Sequence, residues 1–326
     1  MRLYFVAFLI ACSISIVLGF IAIPLLKKLK FGQNILSYVS EHNYKSGTPT
    51  IGGIIFIFSV VAVYFICDLN GRLATVCMVV FVGYAIVGFI DDIIKIKLKR
   101  NEGLNVTQKT LFELIIAIIV AIFSYTRGLT KVYIPFTKFN VDFGWWYIPL
   151  CVLVFVATTN SVNLTDGLDG LAGGVTYVYF LCFSALILLQ LRETSQTFLK
   201  DEYSTIALLT VGLSGALIGY LLFNTYKADV FMGDTGSLAL GGMVAITGVV
   251  SGNIFYIPII GIMYVVSSIS VILQVLYFKT TKGKRLFLMA PLHHHFQHKG
   301  YSESKIAFGY KLITLLVGII VLVMNI

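Results

Sequence analysis

The chain has 326 residues, 58% of them hydrophobic and only 12% charged, with a formal net charge of +9. Soluble domains carry about 25% charged residues, so this composition excludes a water-soluble enzyme, a disordered chain and a nucleic-acid-binding domain. What remains is an all-α polytopic membrane protein, whose excess of Lys and Arg marks cytoplasmic loops rather than a nucleic-acid partner.

In chain order, uncharged runs at Leu3–Leu26, Ser46–Cys67 and Leu73–Ile90 each approach the roughly 20 apolar residues a helix needs to cross the hydrocarbon core. The first is too long for a signal-peptide h-region, and no small-x-small site follows it before Lys27, so it reads as a retained helix. Lys45–Gly53 (KSGTPTIGG) leads into the second run. A Gly- and Thr-rich turn at a helix start suits an anion, although a plain entry turn explains it equally well. Asp91-Asp92 follows the third run directly, with Lys95 one turn on. A carboxylate in hydrocarbon is unfavourable by roughly 2.5–3.5 kcal/mol at a helix centre, so the pair predicts a cation-phosphate site more than a solvated helix end. Leu111–Thr126 is a weaker span because it carries Glu113, and Gly128–Asp142 alternates Val, Tyr, Ile and Phe as a short external β-hairpin would. Trp145 and Trp146 open the span Phe143–Thr165, as an aromatic interface belt requires.

Asn163–Leu171 (NLTDGLDGL) ends that span and opens the next, Gly170–Leu191. On a helical turn Asp166 and Asp169, three apart, would face the same way. N-capping explains one Asp, not two with an Asn. After Tyr203–Tyr226 comes Phe231–Ser237 (FMGDTGS), where Asp234 either caps a helix or binds a ligand. Its Asp-Thr-Gly-Ser mimics half an aspartic-protease signature, but no second copy exists. Thr235–Phe278 is too long for one crossing and folds back at Ser251-Gly252-Asn253. Pro291–His298 (PLHHHFQH) lacks the i,i+4 spacing that lets one helix face hold zinc, so phosphate or sugar contacts are the better reading. Ile306–Ile326, with Lys311, is the last span.

About ten transmembrane helices result, in a single integral membrane domain over residues 1–326. Ten spans put both termini on one side. Loops after odd-numbered helices hold sixteen of the 24 Lys and Arg, against seven on the other face. The positive-inside rule therefore predicts cytoplasmic odd loops and both termini outside. Asp91, Asp92, Asn163, Asp166, Asp169, Asn224, Asp229, Asp234 and all five His fall in those loops or at their membrane ends. The five Cys lie in apolar spans without CxxC spacing, which disfavours a thiolate metal site or a disulfide framework. Five gathered carboxylates would repel one another unless a cation joined them. An oxygen-only donor set favours Mg²⁺, which binds through substrate phosphates. A membrane enzyme joining a soluble phosphorylated substrate to a lipid is the implied class. Its rival is a secondary transporter, which would place carboxylates near the midplane of repeated halves.

These motifs resemble the phospho-N-acetylmuramoyl-pentapeptide transferase family, within the polyprenyl-phosphate N-acetylhexosamine-1-phosphate transferases. The resemblance rests on GTPTIGG (Gly47–Gly53), Asp91-Asp92 with Lys95, NLTDGLDGLA (Asn163–Ala172), FMGDTGSLALGG (Phe231–Gly242) and PLHHHF (Pro291–Phe296), in family order through all five loops. It implies transfer of phospho-MurNAc-pentapeptide from its UDP conjugate to undecaprenyl phosphate, giving lipid I and UMP with Mg²⁺. The setting would be the cytoplasmic face of a bacterial plasma membrane. The in-class alternative is a transferase for UDP-N-acetylglucosamine. Asp234 is similar to the family's metal ligand, and Asp91 and Asp92 resemble its lipid-phosphate pair, with Asp91 the base. Asp166, Asn224 and His293 match other catalytic positions. Lys45, Gly167, Leu168, Asp169, Phe231 and Gln274 match nucleotide-pocket positions, and Thr50, Lys95, Lys109, Asn163, His294 and His295 stand among the implied substrate contacts. The chain departs from the family pattern at Gln297, usually Glu, and over Ser37–Tyr44. A homodimer is compatible with the sequence.

Overall fold

The computed structural model describes residues 2–29, 47–98, 100, 102–137, 139–193 and 197–325. In chain order the helices are α1 (Arg2–Lys28), α2 (Gly53–Ile66), α3 (Arg72–Leu98), α4 (Val106–Thr126), α5 (Tyr147–Thr165), α6 (Leu171–Glu193), α7 (Thr197–Asn224) and α8 (Gly233–Val250). Short α9 (Ile257–Ile260) then leads into α10 (Ile262–Thr280), followed by α11 (Leu292–His298) and α12 (Glu303–Val323). Among the described residues, nine helices are long and apolar enough to cross a membrane, and Gly53–Ile66 is a shorter apolar helix. The protein is therefore an all-α multi-pass membrane protein; nine of the ten expected spans reach that length among the described residues, and the expected span Ser46–Cys67 contains the shorter α2. The β-hairpin is present as β1 (Lys131–Tyr133) paired antiparallel with β2 (Asn140–Asp142), Val132 opposite Val141.

Helix α8 is the centre of the bundle, buried from Thr235 to Val250 and packed by α3, α5 and α2. Small residues let it be approached so closely. Gly236 lies against Gly53 of α2, Gly241 against Thr159 of α5, and Gly242 against the Tyr84 ring of α3. In lipid, where no hydrophobic force draws helices together, such close backbone packing supplies the association energy. Hydroxyls inside the bundle bond back to their own helix, as Thr247 does to Met243 O (2.7 Å) and Thr176 to Ala172 O (2.7 Å). These hydroxyls are thereby satisfied without water.

The expected fold-back after α8 occurs at Ser251–Asn253. Gly252 adopts φ +71, and any Cβ there would press on the Lys131 carbonyl of β1, so the turn needs glycine. Asn253 and Gln190 exchange two hydrogen bonds (2.9 and 2.8 Å) and close this end of the molecule. At the same end Glu202 of α7 accepts from the Arg72 and Leu73 N–H groups (3.0 and 2.7 Å) and so satisfies the start of α3. One boundary differs from expectation. The apolar run ends at Ile90, but α3 continues to Leu98, so Asp91 and Asp92 sit inside a helix.

Candidate functional site

The acidic motifs meet at the opposite end, where α3 crosses the start of α8. Gly88 touches the carbonyl of Asp234 so tightly that a Cβ would collide with the α8 backbone. One turn further along α3, Asp92 faces the first turn of α8. Its carboxylate accepts from Asp234 N–H (3.1 Å), Thr235 N–H (2.8 Å) and the Thr235 hydroxyl (2.7 Å). A carboxylate there satisfies orphan N–H groups and complements the helix dipole. Capping by Asp234 itself is the simplest alternative to ligand binding. The cap comes instead from Asp92, while Met232 at the cap position contributes no side-chain bond. That releases the Asp234 carboxylate for other partners.

The GTPTIGG segment is threaded beside this junction. Phe231 N–H donates to Pro49 O (2.9 Å), Gly52 N–H to Phe231 O (2.8 Å) and Gly53 N–H to Met232 O (3.0 Å). Gly233, at φ +70, turns the chain into α8 between the Thr50 hydroxyl and the Asp92 carboxylate, where a Cβ would meet both.

Asp234 then collects the cations. Its Oδ2 lies 2.9 Å from Lys95 Nζ and 2.8 Å from Lys109 Nζ. Its Oδ1 accepts from Asn163 Nδ2 (2.8 Å), which also donates to Ser237 Oγ (2.8 Å). Lys109 is brought into range by the start of α4, where Asn105 and Gln108 form a reciprocal capping box. Asp91 pairs with Lys95 at 2.6 Å and accepts from Leu104 N–H at 2.8 Å. Gly103 covers its carboxylate at a distance no side chain would allow.

Past Asn163 the chain leaves α5 through a turn over residues 166–170, not through a helix. The helical turn expected to carry Asp166 and Asp169 therefore does not form. Asp166 is the C-cap of α5, whereas Asp169 is buried and accepts from Ala228 N–H (3.1 Å). Asn224 is buried too, accepting from Gly170 N–H (3.2 Å) and donating to Val230 O (2.9 Å). It clips two loops together. Gly167 packs against the Nε2 atoms of His293 and His294 and leaves no room for a Cβ.

His293 is fully buried, and neither ring nitrogen has a hydrogen-bond partner among the described residues. Burial, reinforced by neighbouring His294, pushes its imidazole down to about 3, so it is neutral at pH 7. His294 Nδ1 faces Gln297 Oε1 at 3.0 Å, and the Gln297 amide reaches the Glu303 carboxylate at 3.4 Å. Glu303 is a buried acid that sequence reading passed over. Its one signal was Ser302, a helix-capping residue just before it.

Other expected contacts hold loops. Gln274 accepts from Leu286 and Phe287 N–H (3.1 and 2.8 Å), and His295 Nδ1 accepts from Leu288 N–H (3.1 Å). Leu168 is core and Phe231 is half-buried. Lys45 lies outside the described residues.

One carboxylate oxygen from each of Asp91, Asp92 and Asp234 lies within 4.8 Å of the other two. Among the three, Asp234 has the most accessible side chain, 15% exposed against 3% and 2%. This all-oxygen set fits Mg²⁺, which typically takes one or two carboxylates and fills its remaining positions with waters and substrate phosphates.

Comparison with known proteins agrees with the motif reading. Residues 73–252 match the glycosyl transferase family 4 profile. A phospho-N-acetylmuramoyl-pentapeptide-transferase of Clostridium perfringens (strain 13 / Type A) is 46% identical over 310 residues, covering 94% of this chain and 94% of that relative. The enzyme of the same name from Clostridium botulinum (strain Eklund 17B / Type B) is 43% identical, over 96% of this chain and 94% of its own. That of Caldanaerobacter subterraneus subsp. tengcongensis is 42% identical, over 95% of each.

Proposed function

The chain belongs to the phospho-N-acetylmuramoyl-pentapeptide transferases of glycosyl transferase family 4, and on that premise we propose how its residues carry the reaction. It transfers phospho-MurNAc-pentapeptide from UDP-MurNAc-pentapeptide to undecaprenyl phosphate, giving lipid I and UMP, in peptidoglycan synthesis. A phosphate oxygen of the lipid attacks the sugar-linked phosphorus, and the bond to the UMP oxygen breaks. A phosphate monoester has a second pKa near 6, so the lipid phosphate is largely dianionic at pH 7. The attack then depends on positioning and charge stabilisation more than on a strong base.

One observation carries this reading: the Asp234 carboxylate is held between Lys95, Lys109 and Asn163, with Asp91 and Asp92 behind it. Three carboxylates against two ammonium groups leave the junction one negative charge, which a divalent cation reverses and so favours an incoming diphosphate. In this proposal Asp234 would be the principal Mg²⁺ ligand, and the ion, when bound, would supply charge neutralisation for the transferring phosphates. Lys95 and Lys109 turn from Asp234 toward phosphate oxygens when substrate enters. Asp92 holds the start of α8 in place. Asp91, salt-bridged to Lys95, orients that ammonium at neutral pH and takes a proton from a monoprotonated lipid phosphate at lower pH. His293, held neutral by burial, and His294, both beside the Gly167 turn, meet the sugar and diphosphate as hydrogen-bonding groups. Asp166, Asp169, Asn224, Phe231 and Gln274 shape the nucleotide side.

The basic excess of the loops after odd-numbered spans supports a cytoplasmic site with both ends of the chain outside, and the bacterial relatives support a bacterial plasma membrane as the setting. A homodimer is compatible with this reading, and light scattering of the purified protein in detergent decides it. The direct test is UMP release by purified protein with undecaprenyl phosphate, Mg²⁺ and either UDP-MurNAc-pentapeptide or UDP-N-acetylglucosamine. Turnover is expected with the first, little with the second, and none after chelation of the divalent ion. Activity that survives EDTA would remove the metal from the proposal.

A further inference from the structure

Helix α4 exposes large apolar side chains such as Leu111, Ile115, Ile119 and Ile122 and buries only a narrow face that begins at Glu113. In lipid, apolar contact alone gives neighbouring helices little reason to keep one register, so polar links between them matter more. Glu113 is such a link, 2% exposed inside a span, where an ionisable side chain calls for a functional reason. Its Oε2 accepts from Asn160 Nδ2 of α5 at 3.3 Å. Asn160 has a second amide proton for Val156 O (2.9 Å), so its own helix does not compete. The Thr159 hydroxyl also lies 3.2 Å from Oε2, with Phe155 O (2.9 Å) as its alternative acceptor. The Glu113 backbone carbonyl accepts from the Tyr84 hydroxyl of α3 at 3.0 Å, and the Tyr84 ring stacks on Phe155 and covers Gly242 of α8. Among the described residues no other side-chain hydrogen bond joins α4 to α5. Ionised or neutral, a carboxyl oxygen accepts, so the link does not depend on charge.

The place of this link along both helices gives it a consequence. One turn nearer the site on α4 is Lys109, and one turn beyond Thr159 and Asn160 on α5 is Asn163. Lys109 Nζ donates to Asp234 Oδ2 and Asn163 Nδ2 to Asp234 Oδ1, both at 2.8 Å. The donors that hold the two oxygens of one carboxylate thus stand on two helices, and Glu113 ties those helices together one turn away. We propose that Glu113 is a positioning residue: by linking α4 to α5, it sets the register in which Lys109 and Asn163 reach the Asp234 carboxylate together. The value of that register for turnover rests on the transferase reading above. The link itself does not depend on that reading.

The test uses the full chain in detergent and two measurements. In the first, without metal or substrate, Lys109 is acetylated by an N-hydroxysuccinimide ester and its rate is read by mass spectrometry. The Lys109 side chain is 21% exposed, and the more exposed Lys27 serves as internal control. The second is kcat, from UMP release with UDP-MurNAc-pentapeptide and undecaprenyl phosphate. Glu113→Leu offers no acceptor to α5, so Lys109 should be acetylated severalfold faster while Lys27 is unchanged. Its kcat should fall about tenfold, as when an outer partner of a metal-site residue is lost. Glu113→Gln keeps an acceptor for Asn160 and Thr159, and should retain both the protection of Lys109 and most of kcat. If Glu113→Leu does not fold, Asn160→Leu, at an exposed position of α5, removes the donor instead and should give the same two changes. Parental protection of Lys109 in the Leu variant overturns the proposal. So does a parental kcat once Lys109 is released, or a Gln variant as impaired as the Leu variant. Faster acetylation in the Leu variant of a chain whose unaltered form releases no UMP overturns the substrate reading and leaves the Glu113 link standing.

Discussion

The junction of α3 with α8 and the corner where α11 meets α12 lie at the same end of the bundle, yet they manage buried acids in opposite ways. At the first, Asp91 and Asp234 are met by the ammonium groups of Lys95 and Lys109. At the second, Glu303 is reached by a backbone N–H and a side-chain amide, and the nearby imidazole of His293 is neutral. Charge partners can be exchanged for a diphosphate and a divalent ion, because Coulomb attraction has little directional demand. Amide and imidazole contacts depend on geometry and on where each proton lies. The first corner is therefore suited to charge that changes during reaction, and the second to recognising a shape that does not.

The largest test of that contrast is Asp234→Asn. It keeps the size of the side chain but removes the charge that Lys95 and Lys109 share, and turnover should fall by about 10³-fold or more. Far-UV circular dichroism should remain that of the parent, since the cap of α8 comes from Asp92. A folded Asn variant with near-normal UMP release would break the contrast outright.

Next in size is Gly88→Ala. The added methyl has no space against the Asp234 carbonyl, so α8 must shift off α3 and the Asp92 cap must loosen. A stability loss of about 2–3 kcal/mol is expected for such overpacking, together with reduced turnover, read from thermal unfolding and the same assay. A parental melting temperature would show that the close crossing is dispensable.

The histidine corner makes a prediction in pH. His293 has a folded pKa of about 3, against an ordinary value of 6.5. The unfolded chain therefore takes up the proton first as pH falls. Its share of stability is full above about 6.5 and is lost progressively toward pH 3, by roughly 2 kcal/mol at pH 5. Melting temperature should drop between pH 7 and pH 5, and His293→Phe should shrink that drop. An unchanged pH dependence in the Phe variant would mean that the imidazole is not held neutral by burial.

The smallest effect sharpens the comparison by its absence. Lys27 and Asp229 also form an ion pair, at 3.5 Å, but both side chains are more than half exposed. Exposed pairs contribute about 0–1 kcal/mol. Lys27→Ala should leave turnover within about twofold and stability within about 0.5 kcal/mol. A large loss would show that charge matters at this end wherever it sits.

Much was determined by the sequence alone, because a bilayer imposes rules that are local along the chain. Apolar run length marked the spans, the overlong uncharged run Thr235–Phe278 required a turn at Ser251–Asn253, and alternation found the β1–β2 hairpin. Asp91, Asp92 and Asp234 stood out because carboxylates beside hydrocarbon need a reason. Asn163 was marked by its motif and Lys109 by the family resemblance, and both are found on Asp234 itself. What each carboxylate does was decided only in three dimensions. Asp92 rather than Asp234 caps α8, since Gly88, distant in sequence from both Asp234 and the helix it starts, lets the two helices touch. Asn224 and Gln274 hold loops through backbone groups that no spacing rule connects to them. Glu303 went unnoticed because its partners, Asp169 and Gln297, come from separate loops. Hydrogen bonds depend on distance in space, and a linear pattern carries that information only within a turn or two of the same helix.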